Sequence, residues 1–141
     1  FPINHSIIHQ NLFDQQNKSR LELLKICLEN LTLFENEHAA LIFLREKDLL
    51  QCNYVKGDTE GFVNMPLSLI NINFSAFFIE FKDCIKISFR SQGDFDVNLF
   101  SKTYFNGGGH KNASGGIVKD KNIEDSIKYF EISLKDFLNV E

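Results

Sequence analysis

The alternation of side chains from Ile85 to Arg90 constrains the fold more than any other feature of the sequence. Every second residue is apolar and the residues between them are polar or basic, in the order Ile85, Lys86, Ile87, Ser88, Phe89, Arg90. Because successive side chains of a β-strand point to opposite faces of a sheet, this segment is predicted to be a half-buried strand. One face of the sheet packs against a core, and the other is polar and basic.

The rest of the chain predicts helices and further strands. A capping-box pattern begins at Ser19 and precedes apolar residues at helical spacing, and a second amphipathic pattern covers residues 123–138. Asp94 or Asp96 can cap a helix that ends at Tyr104. Apolar runs predict strands at residues 39–44, 49–55, 74–81, 84–91 and 116–118. The prediction is an α/β fold: a single domain with a mixed sheet of about five strands, flanked by helices and preceded by a linker helix.

The composition fits one folded domain. The 141 residues are 43% hydrophobic and include fifteen Phe but no Trp, so a Phe-rich core is expected. No apolar run approaches the ~20 residues that span a bilayer, and no signal peptide is evident. Cys27, Cys52 and Cys84 are odd in number and form no C-x-x-C pair. We therefore expect a cytoplasmic protein whose cysteines are reduced core residues.

The region around residues 107–111 is the strongest local indication of a ligand. Three consecutive glycines are followed by His110 and Lys111, and glycine permits close approach of backbone N–H groups to an anion. Arg90 and Ser91 end the alternating strand, where a guanidinium can bind phosphate. Residues 82–121 are also the only basic block, with an excess of +3 in a chain of net charge −4. The residue types alone leave a phosphate-binding turn and a plain tight turn open.

Several other chemistries find no support in the sequence. The glycine run lacks the G-x-G-x-x-G spacing, because Asn112 stands at the last position, and no G-K-[ST] occurs. His5 and His9 are four residues apart, but no carboxylate lies between them to complete a zinc motif. Dinucleotide binding, P-loop hydrolysis and a resident metal are therefore not predicted.

Three motifs carry a family resemblance when they are taken together. They are residues 58–64 (DTEGFVN), 87–91 (ISFRS) and 107–115 (GGGHKNASG). Their order and spacing resemble the C-terminal, DHH-associated domain of the DHH phosphoesterase family. The resemblance is greatest to bacterial oligoribonucleases (nanoRNases) and phosphoadenosine phosphate phosphatases.

The resemblance implies a protein of two lobes, in which an N-terminal DHH domain holds two divalent ions, usually Mn²⁺, and the smaller lobe binds the substrate. On this basis residues 1–35 are a connector segment and helix from a missing DHH lobe, and residues 36–141 are the substrate-binding domain. No Asp-His-His occurs in the chain, so the resemblance places no metal ion and no catalytic residue here. The implied substrate-binding residues are Arg90, Ser91, Gly107, Gly108, Gly109, His110, Lys111 and Asn112.

The implied function is the substrate-binding part of a metal-dependent phosphoesterase that hydrolyses short oligonucleotides, phosphoadenosine phosphate or both. The expected partners are oligonucleotides or phosphorylated nucleotides and the protein's own DHH domain, with no membrane; a homodimer is left open. The alternatives are a non-catalytic module that binds single-stranded nucleic acid, and a phosphoesterase that acts on cyclic dinucleotides or polyphosphate. The sequence assigns no role to residues 58–64.

Overall fold

The structure, a computed structural model, describes residues 17–139 and forms one six-stranded mixed sheet with helices on both faces. The helices are α1 (Lys18–Glu29), α2 (Glu46–Gln51), α3 (Val97–Tyr104) and α4 (Ile123–Asn139). The strands are β1 (Thr32–Phe34), β2 (Ala39–Leu44), β3 (Phe74–Glu80), β4 (Ile85–Ser91), β5 (Gly108–His110) and β6 (Ala113–Val118). Two 3₁₀ helices cover Glu35–Glu37 and Phe62–Ser68. The predicted α/β class is confirmed.

The strand order is β1-β2-β3-β4-β6-β5, in which β2 and β3 are parallel and all other neighbours are antiparallel. The parallel pair needs a crossover, and residues 45–73, with α2 and the second 3₁₀ helix, supply it. The two edge strands, β1 and β5, have three residues each. Neither was predicted, because three residues are too few to show an alternating pattern.

Two hydrophobic clusters lie on opposite faces of the sheet. The larger one contains Phe74, Phe89 and Phe100, which confirms the predicted Phe-rich core. The buried side chains of α3 and α4 pack against the sheet in this cluster. The smaller one joins α1 and the second 3₁₀ helix to β2 and β3 through Leu23 and Phe62. As the alternation predicted, Ile85, Ile87 and Phe89 are buried in the larger cluster, and the residues between them are not.

The predicted strand at residues 49–55 is wrong, because α2 occupies its first half. The backbone N–H of Arg45 donates to Asp48 at 2.8 Å and closes a capping box at the start of this helix. Leu49 is buried, whereas the adjacent Leu50 is 72% exposed. A short apolar run does not by itself distinguish a strand from one face of a helix.

The beginning of α1 also differs from the prediction. The helix starts one residue before Ser19, and its N-cap is Asn17, whose side chain accepts a hydrogen bond from the backbone N–H of Arg20. Leu23 and Cys27 are fully buried against the sheet, so α1 is packed onto the same body as the rest of the domain. The predicted boundary between connector and domain at residue 35 stays a prediction. The first 16 residues of the predicted connector, including His5 and His9, lie outside the described residues.

The three cysteines are free. Cys27 and Cys52 are buried, as predicted, but Cys84 is only half-buried, so the prediction of a core residue is wrong for Cys84. Burial raises the pKa of the Cys27 thiol to about 12, which keeps it protonated at neutral pH. None of the helices within residues 17–139 combines the length and the hydrophobicity that a membrane-spanning helix needs.

Candidate functional site

Arg90 lies near the end of β4 and is half-buried. Its Nη1 donates to the carbonyl oxygens of Phe89 at 2.8 Å and Ser114 at 3.5 Å, so the guanidinium leans from β4 toward β6. Between residues 17 and 139 the structure shows no carboxylate within ion-pair distance of Arg90. The guanidinium has five N–H donors, so it keeps capacity to bind an anion.

The sheet register places Arg90 and His110 in the same row of paired residues across the strands. Ala113 of β6 pairs with Arg90 on one side and with His110 on the other. Adjacent strands are ~4.8 Å apart, which separates the Cα atoms of Arg90 and His110 by about 10 Å. His110 is exposed. Arg90 and His110 are twenty residues apart in sequence, and their side chains start from the same row of the sheet, two strands apart.

The glycine run is an edge strand and not the open turn that the sequence predicts. A Cβ on Gly109 would lie 2.6 Å from the carbonyl oxygen of Ala113, and a Cβ on Gly107 would collide with the backbone of Gly115. The N–H of Gly107 donates to the Ser101 carbonyl and that of Gly109 donates to Asn98 Oδ1. Backbone crowding against β6 thus accounts for Gly107 and Gly109, and the N–H groups of both have internal partners. A Cβ on Gly108 would meet only side-chain atoms of Lys102 and Asn98, at 3.3 Å or more.

The actual turn is at Lys111 and Asn112, which connect β5 to β6. Asn112 Nδ2 donates to Ser91 Oγ at 2.9 Å, and Ser91 Oγ donates to the Phe95 carbonyl at 2.7 Å. Ser91 is buried, and Lys111 Nζ lies 3.5 Å from the carboxylate of Asp94. In the structure these three predicted binding residues fasten the β5–β6 turn to the loop after β4.

The structure shows what Asp58, in the unassigned motif, does in the fold. Its carboxylate is almost fully buried and accepts hydrogen bonds from Asn17 Nδ2 at 3.0 Å, Ser19 Oγ at 2.5 Å and the Val55 N–H at 2.8 Å. These bonds, that of Ser19 above all, hold the pKa of Asp58 below its usual value. Sequence reasoning missed this role because Asn17 and Ser19 are about forty residues away.

Arg20 extends the contact between the first turn of α1 and the same loop. Its guanidinium donates to the backbone carbonyls of Asp58 and Glu60 and lies 4.8 Å from the centre of the Phe62 ring. Phe62 opens the 3₁₀ helix that packs on β3 and β4. Residues 58–64 therefore join α1 to the sheet at β3 and at β4, the strand that carries Arg90.

The described residues do not fit a metal centre. Within residues 17–139 the structure holds no group of three His, Cys, Asp or Glu side chains that could bind a metal ion. A cleft of about 610 Å³ between α1 and α2 carries charges of both signs, with Glu22, Lys25, Lys47 and Asp48 among its lining residues. That cleft involves other elements than the Arg90 row and has no excess of positive charge.

Comparison with known proteins gives a consistent result. The DHHA1 domain family matches residues 40–136. The chain is 29% identical over 119 residues to the bifunctional oligoribonuclease and PAP phosphatase NrnA of Bacillus subtilis, which covers 82% of the chain and 37% of that protein. It is 30% identical over 106 residues to a 3′,5′-cyclic-nucleotide phosphodiesterase of Helicobacter pylori, covering 69% of the chain and 29% of that protein. The chain thus spans roughly a third of the length of these curated relatives.

Solved structures show the same architecture. An exopolyphosphatase-related protein from Bacteroides fragilis superposes with a TM-score of 0.88 at 39% identity, covering 98% of this chain and 40% of that one. A pGpG-specific phosphodiesterase, PggH, from Vibrio cholerae shares the fold, with a TM-score of 0.58 at 16% identity over 84% of this chain and 38% of its own. The family match covers well over half of the sequence. The chain therefore belongs to the DHHA1 domain family, the C-terminal domain of DHH phosphoesterases.

Proposed function

We propose that this chain is the substrate-binding part of a metal-dependent phosphoesterase that hydrolyses short oligonucleotides, phosphoadenosine phosphate or both. The observation that carries the proposal is the half-buried guanidinium of Arg90, which lacks a carboxylate partner among the described residues and lies in one row with His110. In this proposal both side chains contact one phosphate of the substrate. The basic character of residues 82–121 supports an anionic ligand.

Arg90 suits this role for two physical reasons. A planar guanidinium binds two phosphate oxygens at once and keeps its charge at every relevant pH. The carbonyl oxygens of Phe89 and Ser114 hold one end of it, so less side-chain entropy is lost when the ligand arrives. His110 and Lys111 add hydrogen-bond donors at the neighbouring edge.

In this proposal the domain described here binds the substrate, and another part of the protein hydrolyses it. In a two-metal phosphoesterase the ions activate water and stabilise the leaving oxygen. We propose that two Mn²⁺ ions lie in a DHH lobe, as the resemblance to the DHH phosphoesterase family implies. The residues described here bind, orient and neutralise the phosphate ester. The curated relatives are named for oligoribonucleotides, PAP and cyclic nucleotides, which share a nucleotide phosphate ester.

Binding of phosphoadenosine phosphate to the 141-residue chain tests the proposal. We expect Arg90→Ala and His110→Ala each to weaken binding by about 2 kcal/mol, roughly 30-fold, because each removes a charge-assisted hydrogen bond to phosphate. Their combined effect should be smaller than the sum of the two, since both act on one group. Isothermal titration calorimetry measures all three affinities.

Lys128→Ala is the matched control, because it removes one positive charge from an exposed position on α4. Its affinity should stay within twofold of that of the wild type. Equal affinities for the wild type, Arg90→Ala and His110→Ala would contradict the proposal.

A further inference from the structure

Helix α1 has a second apolar face besides the one that packs on the sheet. Leu23 and Cys27 are fully buried against the sheet, whereas Leu21 and Leu28 are 54% and 51% exposed. Leu24 lies between these two on the same face of the helix and is half-buried. We term Leu21, Leu24 and Leu28 the leucine row. Their spacing of three and then four residues is that of a seam along which one helix packs against another.

The apolar surface continues from the leucine row onto the second 3₁₀ helix. Met65 and Leu69, which follows the last residue of that helix, are 41% and 40% exposed. Together with Leu24 and Leu28 they line a cavity of about 140 Å³. A contiguous exposed apolar surface of this kind marks an interaction site more often than isolated exposed leucines do.

Charged side chains follow the opposite flank of the leucine row, and their signs alternate. At 3.6 residues per turn, four residues lie on this flank, in the order Lys18, Glu22, Lys25 and Glu29. Their side chains are 41% to 91% exposed and form two ion pairs along the helix. Because the signs alternate, the series read backwards has the opposite sign at every position. An antiparallel copy of α1 would therefore place Lys18 opposite the second copy's Glu29, and Glu22 opposite its Lys25.

We propose that the leucine row is the contact of a symmetric dimer, in which α1 packs antiparallel to α1 of a second copy of this chain. A two-fold axis perpendicular to both helices brings equivalent flanks together. The charged flank then faces the charged flank of the second copy, and Met65 and Leu69 face their own equivalents. Burial of the leucines supplies the attraction, and the alternating charges fix the direction in which the helices pair.

Other occupants fit this surface less well. A parallel pair of helices would set the charged flank of one copy against the apolar flank of the other, which costs free energy because the charges lose water without gaining partners. A uniformly charged partner, such as a nucleic-acid backbone, would be attracted by two of the four charges and repelled by the other two. A second copy in the antiparallel direction satisfies both flanks.

Sedimentation equilibrium of the 141-residue chain tests the dimer. We expect a mass that rises with concentration to twice that of the chain. Leu21→Glu should raise the dissociation constant of the dimer about tenfold or more, because it places a charge within the apolar contact. Ile132→Glu is the matched control, since Ile132 is 68% exposed on α4, on the other face of the sheet. It should change the dissociation constant by no more than about twofold.

Exchange of charges tests the antiparallel arrangement. Lys25→Glu and Glu22→Lys should each raise the dissociation constant about fivefold or more, because each sets like charges opposite one another twice in the symmetric dimer. An equal mixture of the two variants should form a mixed dimer about as tight as that of the wild type, because unlike charges face each other again. A mixture no tighter than the separate variants would overturn the inference, and so would a dimer insensitive to Leu21→Glu. A wild-type chain that stays monomeric would also overturn it and leave the leucine row to another partner, such as the DHH lobe.

Discussion

At the scale of single residues, Ser75 and Ser114 show how the same side chain can have opposite effects on stability. Both are buried in strands next to β4. The Ser114 hydroxyl donates to the Val97 carbonyl at 2.7 Å. The Ser75 hydroxyl is fully buried opposite Arg90 and has no hydrogen-bond partner among residues 17–139. A buried hydroxyl without a partner has lost its hydrogen bonds to water and forms none in the protein, so its burial destabilises the fold.

We therefore expect Ser75→Ala to leave the free energy of unfolding unchanged or to raise it by up to about 1 kcal/mol, because it removes the unpaired hydroxyl. Ser114→Ala is the matched comparison and should lower it by about 1 kcal/mol, since it removes a buried hydrogen bond to the Val97 carbonyl. Urea titration measures both. Destabilisation by Ser75→Ala as large as that by Ser114→Ala would show that Ser75 has a partner, such as a buried water.

At the scale of structural elements, the contact between α1 and the loop of residues 55–62 depends on one carboxylate. Asp58 accepts hydrogen bonds from both Asn17 and Ser19 at the start of α1. Because its pKa is lower in the folded protein than in the unfolded chain, its ionised form stabilises the fold above about pH 4. That contribution is lost as the pH falls through the lowered folded-state pKa.

Asp58→Ala should lower the free energy of unfolding by about 2 kcal/mol at pH 7, because it leaves several donors without an acceptor. The difference from the wild type should shrink at pH 3, because the unfolded chain then binds a proton at Asp58 more readily than the folded protein does. Urea unfolding at the two pH values measures it, with Asp83→Ala in an exposed position as the control. A difference that stays constant or grows on acidification would contradict this account of α1.

The elements also show which parts of the fold could be predicted from sequence. The alternation from Ile85 to Arg90 is a local property, and it correctly predicted a strand and its buried face. The glycine run could not be interpreted locally, because the crowding that requires glycine at Gly107 comes from β6. The role of Asp58 could not be interpreted locally either, because its hydrogen-bond donors Asn17 and Ser19 lie about forty residues away in the sequence. The glycine run and Asp58 were missed because the cause lay in another element, whereas the strand predicted at residues 49–55 was wrong because a short apolar run fits both a strand and one face of a helix.

At the scale of the whole molecule, the proposed division between binding and hydrolysis gives a direct test. The 141-residue chain, incubated with Mn²⁺ and a short RNA, should release no nucleotide, because residues 17–139 contain no cluster of three His, Cys, Asp or Glu side chains that could hold a metal ion. Chromatography of the products measures this, and calorimetry under the same conditions shows that the RNA is bound. Steady turnover that depends on Mn²⁺ and disappears with a chelator would refute the assignment of hydrolysis to another lobe.

The shortness of both edge strands has a consequence for how copies of this molecule behave in concentrated solution. An exposed strand edge is a template on which another chain can add a strand and begin to aggregate. Here β1 and β5 have only three residues each. The Gly109 N–H of β5 already donates a hydrogen bond to Asn98 Oδ1 and is not available to an added strand. The sheet therefore ends in edges that give an added strand few hydrogen bonds, which protects the folded chain against edge-to-edge polymerisation.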